Sequence, residues 1–255
     1  MSILPDVDDI LDGHTHVDEV PALGWIDPPG KLVALLDEAG IRQAVVMTYT
    51  EYPGYNPQAL DYLAQVVGRY PDRLIGFVRV HPWYQEEMPR IIDRALGELG
   101  MKGVKLHPVG TLDHPAGPST LRVLELAAER NAPVLFHCGD EPMTTPLAIA
   151  EAARRVPEAT VILGHMGGFF HVREAIEVAE RLPNVVLETS AMPYPAAIRE
   201  AVQRIGADRV IYGSDGPGCP PRLEIRKVIA AGLDTEAQRA VLGANMRRLL
   251  AAVRA

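Results

Sequence analysis

The chain has 255 residues, of which 47% are hydrophobic and 23% charged, a globular composition with enough apolar side chains for one large core. A net charge of -8 with 25 unclustered Lys and Arg argues against a nucleic-acid partner, and no run nears the roughly 18 apolar residues of a membrane span. Cys138 and Cys219 are too few for a disulfide framework, and the opening MSILPDVDDI has neither the basic start nor the apolar stretch of a secretory leader, so the expected setting is the cytoplasm.

Short runs rich in Val, Ile and Leu alternate with longer amphipathic stretches, the pattern of βα units around a parallel sheet. The first run, Asp9 to His14, leads through the Trp25 to Gly30 segment to a helix over Lys31 to Ala39. Gln43 to Thr48 follows, then a segment carrying Tyr49, Tyr52 and Tyr55, then a helix over Pro57 to Arg69. The unit repeats as Leu74 to Val80 with Glu86 to Leu99, Gly103 to His107 with Ser119 to Arg130, and Pro133 to His137 with Pro146 to Arg155. Thr160 to His165, Asn184 to Thr189 and Arg209 to Gly213 complete eight strands, with helices over Val172 to Arg181, Pro195 to Ile205, Arg222 to Ala231 and Thr235 to Val253.

Eight such units in 255 residues predict an α/β fold, a (β/α)8 TIM barrel forming a single domain over residues 1–255. The strands carry little polar alternation, as expected where both faces are covered. The rival is an open doubly wound sheet. Against it, the first strand ends in His-Thr-His where that fold would place Gly-x-Gly-x-x-Gly, and polar residues recur at many strand ends.

Those polar residues define the candidate site. His14 and His16 stand two apart in an extended segment and so face one side, ready to share a metal ion. His107, His137, His165 and Asp215 follow at whole βα steps, and a barrel brings such strand ends to one mouth. Lys105 shares parity with His107, one layer deeper, and Arg79 shares parity with His81. Cys138 has the opposite parity from His137 and belongs in the barrel–helix layer. Each also has a plainer reading: His81 before Pro82 is a substrate contact or a turn residue, and Arg79 binds a carboxylate or pairs with an acid between helices. Glu188 and Ser190 share parity on the seventh strand and are secondary candidates.

The runs His14-Thr-His16, Gly103-Val-Lys-Leu-His-Pro108, Leu135-Phe-His-Cys138, Gly164-His-Met-Gly167, Glu188-Thr-Ser190 and Tyr212-Gly-Ser-Asp215 together resemble the amidohydrolase superfamily. The nearer match is the amidohydrolase-related branch that includes aminocarboxymuconate-semialdehyde-type decarboxylases, and Gly243-Ala-Asn-Met-Arg-Arg-Leu-Leu250 is similar to its closing helix. The resemblance implies a divalent metal, zinc first and manganese as the other candidate, held by His14, His16, His137 and Asp215. It further implies a metal-activated water, Asp215 as general base and acid, and His165 polarising the substrate. Lys105 either bridges a second metal or, with His107, His81 and Arg79, contacts substrate.

The leading expectation is a metal-dependent hydrolase of a small lactone, ester or amide. The alternative is a non-oxidative decarboxylase of a small carboxylic acid, and a third reading is a non-catalytic metal- or ligand-binding barrel. Short loops tilt the balance toward hydrolysis. The expected partner is a small-molecule substrate, with a homo-oligomer left open.

Overall fold

A computed structural model describes residues 9–254, so the part of the N-terminal leader reading that falls on residues 1–8 lies outside the described residues. The strands are β1 (Leu11–His16), β2 (Asp18–Val20), β3 (Trp25–Asp27), β4 (Gln43–Met47), β5 (Leu74–Arg79), β6 (Gly103–Leu106), β7 (Val134–His137), β8 (Val161–Gly164), β9 (Val185–Glu188) and β10 (Val210–Ile211). Eight of them form one sheet in the order β1-β4-β5-β6-β7-β8-β9-β10, and every neighbouring pair is parallel. The segment after β10 closes the ring on β1: Gly13 N donates to Tyr212 O at 2.9 Å, Asp215 N to His14 O at 2.8 Å, and His16 N to Gly216 O at 2.7 Å. The fold is therefore the (β/α)8 TIM barrel that the βα periodicity predicts.

The helices are α1 (Pro29–Ala39), α2 (Ala59–Arg69), α3 (Met88–Asp93), α4 (Pro108–Thr111), α5 (Pro118–Glu129), α6 (Pro146–Arg155), α7 (Val172–Arg181), α8 (Pro195–Ile205), α9 (Pro221–Ala230), α10 (Thr235–Arg239) and α11 (Asn245–Ala251). Many begin with Pro in the first turn, where its missing N–H costs no helical hydrogen bond. Two expected helices are interrupted. Arg94–Glu98 and Ala240–Ala244 are π turns, so Glu86 to Leu99 and Thr235 to Val253 are not single α-helices. The short α4 and the antiparallel β2–β3 hairpin escape the periodicity reading because each is too short to show a period.

Strand period two sorts side chains into two cores. Outward residues such as Val104, Phe136, Cys138 and Leu163 pack against the helices, and Cys138 lies there as its parity predicts. Inward residues Leu11, Val45, Met47, Phe77, Leu135, Ile162, Val186 and Ile211 fill the barrel, plugged from below by Met246 and Leu250 of α11. Gly243, in the turn just before that helix, lets the chain pass close under the barrel, since a Cβ there would lie 2.7 Å from Asp9 O. One step above this apolar layer the same inward positions turn polar: Phe77 is followed by Arg79, Leu135 by His137 and Val186 by Glu188. Among the described residues no helix is long and apolar enough to cross a membrane.

Candidate metal and substrate site

At the C-terminal mouth, His14 Nε2 lies 3.2 Å from His16 Nε2, and Asp215 Oδ1 lies 3.1 Å from His16 Nε2 and 3.6 Å from His14 Nε2. Donor atoms about 2.1 Å from one ion stand roughly 3.0–3.4 Å apart in octahedral or tetrahedral sites, a spacing that the two pairs involving His16 match and the His14–Asp215 pair exceeds slightly. Two neutral imidazoles and a carboxylate suit a borderline or hard divalent ion and do not call for a soft one. His14 and His16 are buried, and burial pushes both imidazoles down from their ordinary value, which keeps their lone pairs available. Burial pulls Asp215 upward, but the hydrogen bond with His16 and the surrounding histidines outweigh it and hold the carboxyl well below the usual carboxylate range. Asp215 and His165 both have positive φ, 60° and 63°, strained backbone of a kind that collects at functional sites.

Glu188 anchors the cluster. Its side chain is fully buried, and Oε2 accepts from Ser190 Oγ at 2.8 Å, from His14 Nδ1 at 2.9 Å and from His165 N at 3.2 Å. With Nδ1 donating to a carboxylate, His14 presents the Nε2 lone pair to the mouth. Gly213 and Gly164 make room: a Cβ on Gly213 would collide with Glu188 Oε1 and His14 Cβ. His16 lacks such support, and its Nδ1 is buried with no partner among the described residues.

Lys105 and the other histidines complete the mouth. Lys105 is 1% exposed and its Nζ sits 3.0 Å from His14 Nε2. Burial, then the charge of Arg79, pushes its ammonium down to about 7. His137 Nδ1 lies 3.1 Å from His165 Nε2, and the His137 ring stacks on His107 with centroids 4.1 Å apart. His165 is held from behind, its Nδ1 2.9 Å from Ser190 Oγ. His14, His165 and Asp215 each bring a ligand atom within 4.8 Å of the others, whereas His137 joins the group through its contact with His165. His81 stands aside, edge-on to Tyr84 at 5.2 Å, with Nδ1 buried and unpartnered among the described residues.

Two cavities flank the histidines. One, of about 190 Å³, is lined by His137, His165, Asp215, Glu141 and Phe169. The other, of about 310 Å³, is lined by Leu23, Trp25, Tyr49, Tyr55, Glu51 and Arg79 together with His107. Tyr49 stacks on His16 at 4.4 Å and Trp25 on Tyr49 at 5.0 Å, an aromatic column running from the proposed metal ligand to the rim. The β2 hairpin holds that wall, because Asp18 Oδ2 accepts from Thr50 N at 3.1 Å and Thr50 Oγ1 at 2.8 Å. Arg79 is buried and pairs with Glu51 Oε1 through Nε at 3.1 Å and Nη2 at 2.6 Å.

Glu51 is the site residue that sequence reasoning missed. It lies in a Tyr- and Pro-rich loop with no motif around it, 28 residues from its partner, and only a pairing signal between the two positions would have found it.

The family model described as Amidohydrolase matches residues 12–251. No curated protein matches the chain. Many solved structures share the fold, among them three decarboxylases. The 2,6-dihydroxybenzoate decarboxylase from Rhizobium aligns with TM-score 0.78 at 16% identity, over 96% of this chain and 99% of that one. The 5-carboxyvanillate decarboxylase from Sphingomonas paucimobilis aligns with TM-score 0.76 at 17% identity, over 95% and 99%. A dihydroxybenzoic acid decarboxylase from a Polaromonas species, with bound manganese and 2-nitroresorcinol, aligns with TM-score 0.74 at 18% identity, over 98% of each chain.

Proposed function

This chain belongs to the amidohydrolase family, and on that premise we propose that it is a metal-dependent, non-oxidative carboxy-lyase acting on a small ring-bearing carboxylic acid. The observation that carries the reading is the placement of the His14, His16 and Asp215 donor atoms beside buried Lys105 and an aromatic-walled cavity. The likeness to three decarboxylases supports it, although at 16–18% identity that likeness shows the fold alone. Short loops favour hydrolysis, but the decarboxylases that share this fold, one of them with bound manganese, support the lyase reading over it.

His14, His16 and Asp215 would hold the metal, with His137 completing the set, and zinc and manganese both suit these donors. A bound divalent ion would supply positive charge to orient the substrate carboxylate and a neighbouring oxygen. Trp25 and Tyr49 would fix the ring plane, and the apolar walls of the cavity would limit water around the reacting carbon. Asp215, ionised at neutral pH, accepts a proton from the bound substrate and delivers it to the ring carbon bearing the carboxylate. The carbon–carbon bond then breaks, its electron pair returns to the ring, and neutral carbon dioxide leaves. His165, braced by Ser190, donates a hydrogen bond where negative charge develops.

The test is product identity. Protein reconstituted with zinc or manganese is assayed on aryl carboxylates and on matched lactones, esters and amides. Carbon dioxide release with a large fall in Asp215→Asn, at near-normal metal content, is the expected result. Ring-opened acid or free amine without carbon dioxide would instead establish the hydrolase.

A further inference from the structure

We infer that the buried Arg79–Glu51 pair in the larger cavity is a specificity subsite that reads a neutral hydroxyl-type substituent on the substrate ring and rejects a second carboxylate. The inference rests on the carboxy-lyase reading for which group faces the metal ligands, but its ligand chemistry comes from the pair itself. Arg79 and Lys105 are neighbours in the β5–β6 register, so the pair sits one strand from the residue that touches His14.

Both side chains are more than nine-tenths buried, at 5% and 8% exposure, and both line the cavity. Arg79 directs Nε and Nη2 onto a single oxygen, Glu51 Oε1, while Nη1 has only a 3.4 Å contact with Thr48 O. Glu51 Oε2 has no hydrogen-bond partner among the described residues. The pair therefore offers the cavity spare guanidinium N–H and one spare carboxylate oxygen, a donor and an acceptor side by side, with charges that cancel. Among the described residues, no other Lys, Arg, Asp or Glu lines this cavity.

A hydroxyl satisfies both groups by accepting from Arg79 and donating to Glu51. A carboxylate cannot donate to Glu51, would face its negative charge, and would lose hydration without gaining an uncompensated cation. Arg79 is thus not the free carboxylate receiver that its strand position alone suggests. Gly110 completes the subsite: a Cβ there would come within 2.8 Å of Glu51 Oε1 and 3.1 Å of Arg79 Nη2.

The test is equilibrium binding to manganese-loaded protein, with benzoate, the three hydroxybenzoates and the three benzenedicarboxylates as probes. The best hydroxybenzoate is expected to bind at least tenfold more tightly than the best dicarboxylate. In Glu51→Gln the best dicarboxylate should gain fivefold or more while benzoate changes less than twofold. A wild-type protein that prefers the dicarboxylate overturns the inference whether or not the variant folds, as does an unchanged ratio in a folded variant. Failure of every probe to bind also overturns it, by removing the ring from this cavity. Carbon dioxide release without discrimination refutes the subsite and leaves the lyase reading intact. Discrimination without carbon dioxide from any acid does the reverse.

Discussion

Replacing Glu188 by Gln changes one atom and one charge at the point where three donors meet. Oε2 receives Ser190 Oγ, His14 Nδ1 and His165 N between 2.8 and 3.2 Å, and the other oxygen receives Ser190 N. An amide has an acceptor on one side only, so in either orientation an NH2 group faces a donor. Hydrogen bonds to a charged group are worth about 1.5–3 kcal/mol each, and at least one is lost. Since His14 loses the partner that sets its tautomer, the divalent-ion affinity should fall about 10–100-fold, equivalent to roughly 1.4–2.7 kcal/mol. Competition against a chromophoric chelator measures the affinity, and melting of the metal-free protein checks that the variant folds. A folded Glu188→Gln protein that binds zinc and manganese within twofold of wild type would refute the claim that this carboxylate orients the ligand.

Two further predictions concern the barrel itself. A methyl at Gly103 would overlap the Phe77 ring in the inner core, so Gly103→Ala should cost about 1–3 kcal/mol, read as a lower urea midpoint at unchanged slope; an unchanged midpoint would show that the floor has slack. Acid should also weaken the metal-free protein. His107 is pushed from its ordinary 6.5 down to about 2 by burial first and then by Arg79 and Lys105, and His137 is lowered in the same direction. Below 6.5 the unfolded chain takes up these protons and the folded chain does not, so stability present above 6.5 is lost progressively as pH falls toward 2. Urea midpoints at pH 7.5 and 5 should differ, His107→Gln should narrow the gap, and equal midpoints would contradict the burial argument.

Local pattern carried the architecture. Eight apolar runs at βα spacing specify a parallel sheet covered by helices, because a strand buried on both faces is apolar throughout, and the polar residues recurring at many strand ends favour a barrel over an open sheet. Period two then placed Lys105 inward and Cys138 outward without any tertiary information, since side-chain direction follows from backbone pleat alone. The convergence of His14, His16 and Asp215 was legible for a related reason: strand ends of a barrel share one mouth whatever the loops do.

What escaped the sequence depends on distances between segments that no period encodes. His137 meets His165 and His107 at 3.1 Å and in a 4.1 Å stack, a grouping set by rotamers and by which ring leans on which. The π turns interrupt the expected helices at Gly97 and Gly243, where glycine lowers helix propensity but does not by itself specify a π turn. Above all, Arg79 has one meaning as a lone cation near a strand end and another beside Glu51. The sequence left two places for that guanidinium, one paired with an acid between helices and one in the mouth. Only the packing of the β4–α2 loop against β5 decided that a carboxylate would already be there, because charge compensation is a matter of a few ångströms and not of residue type.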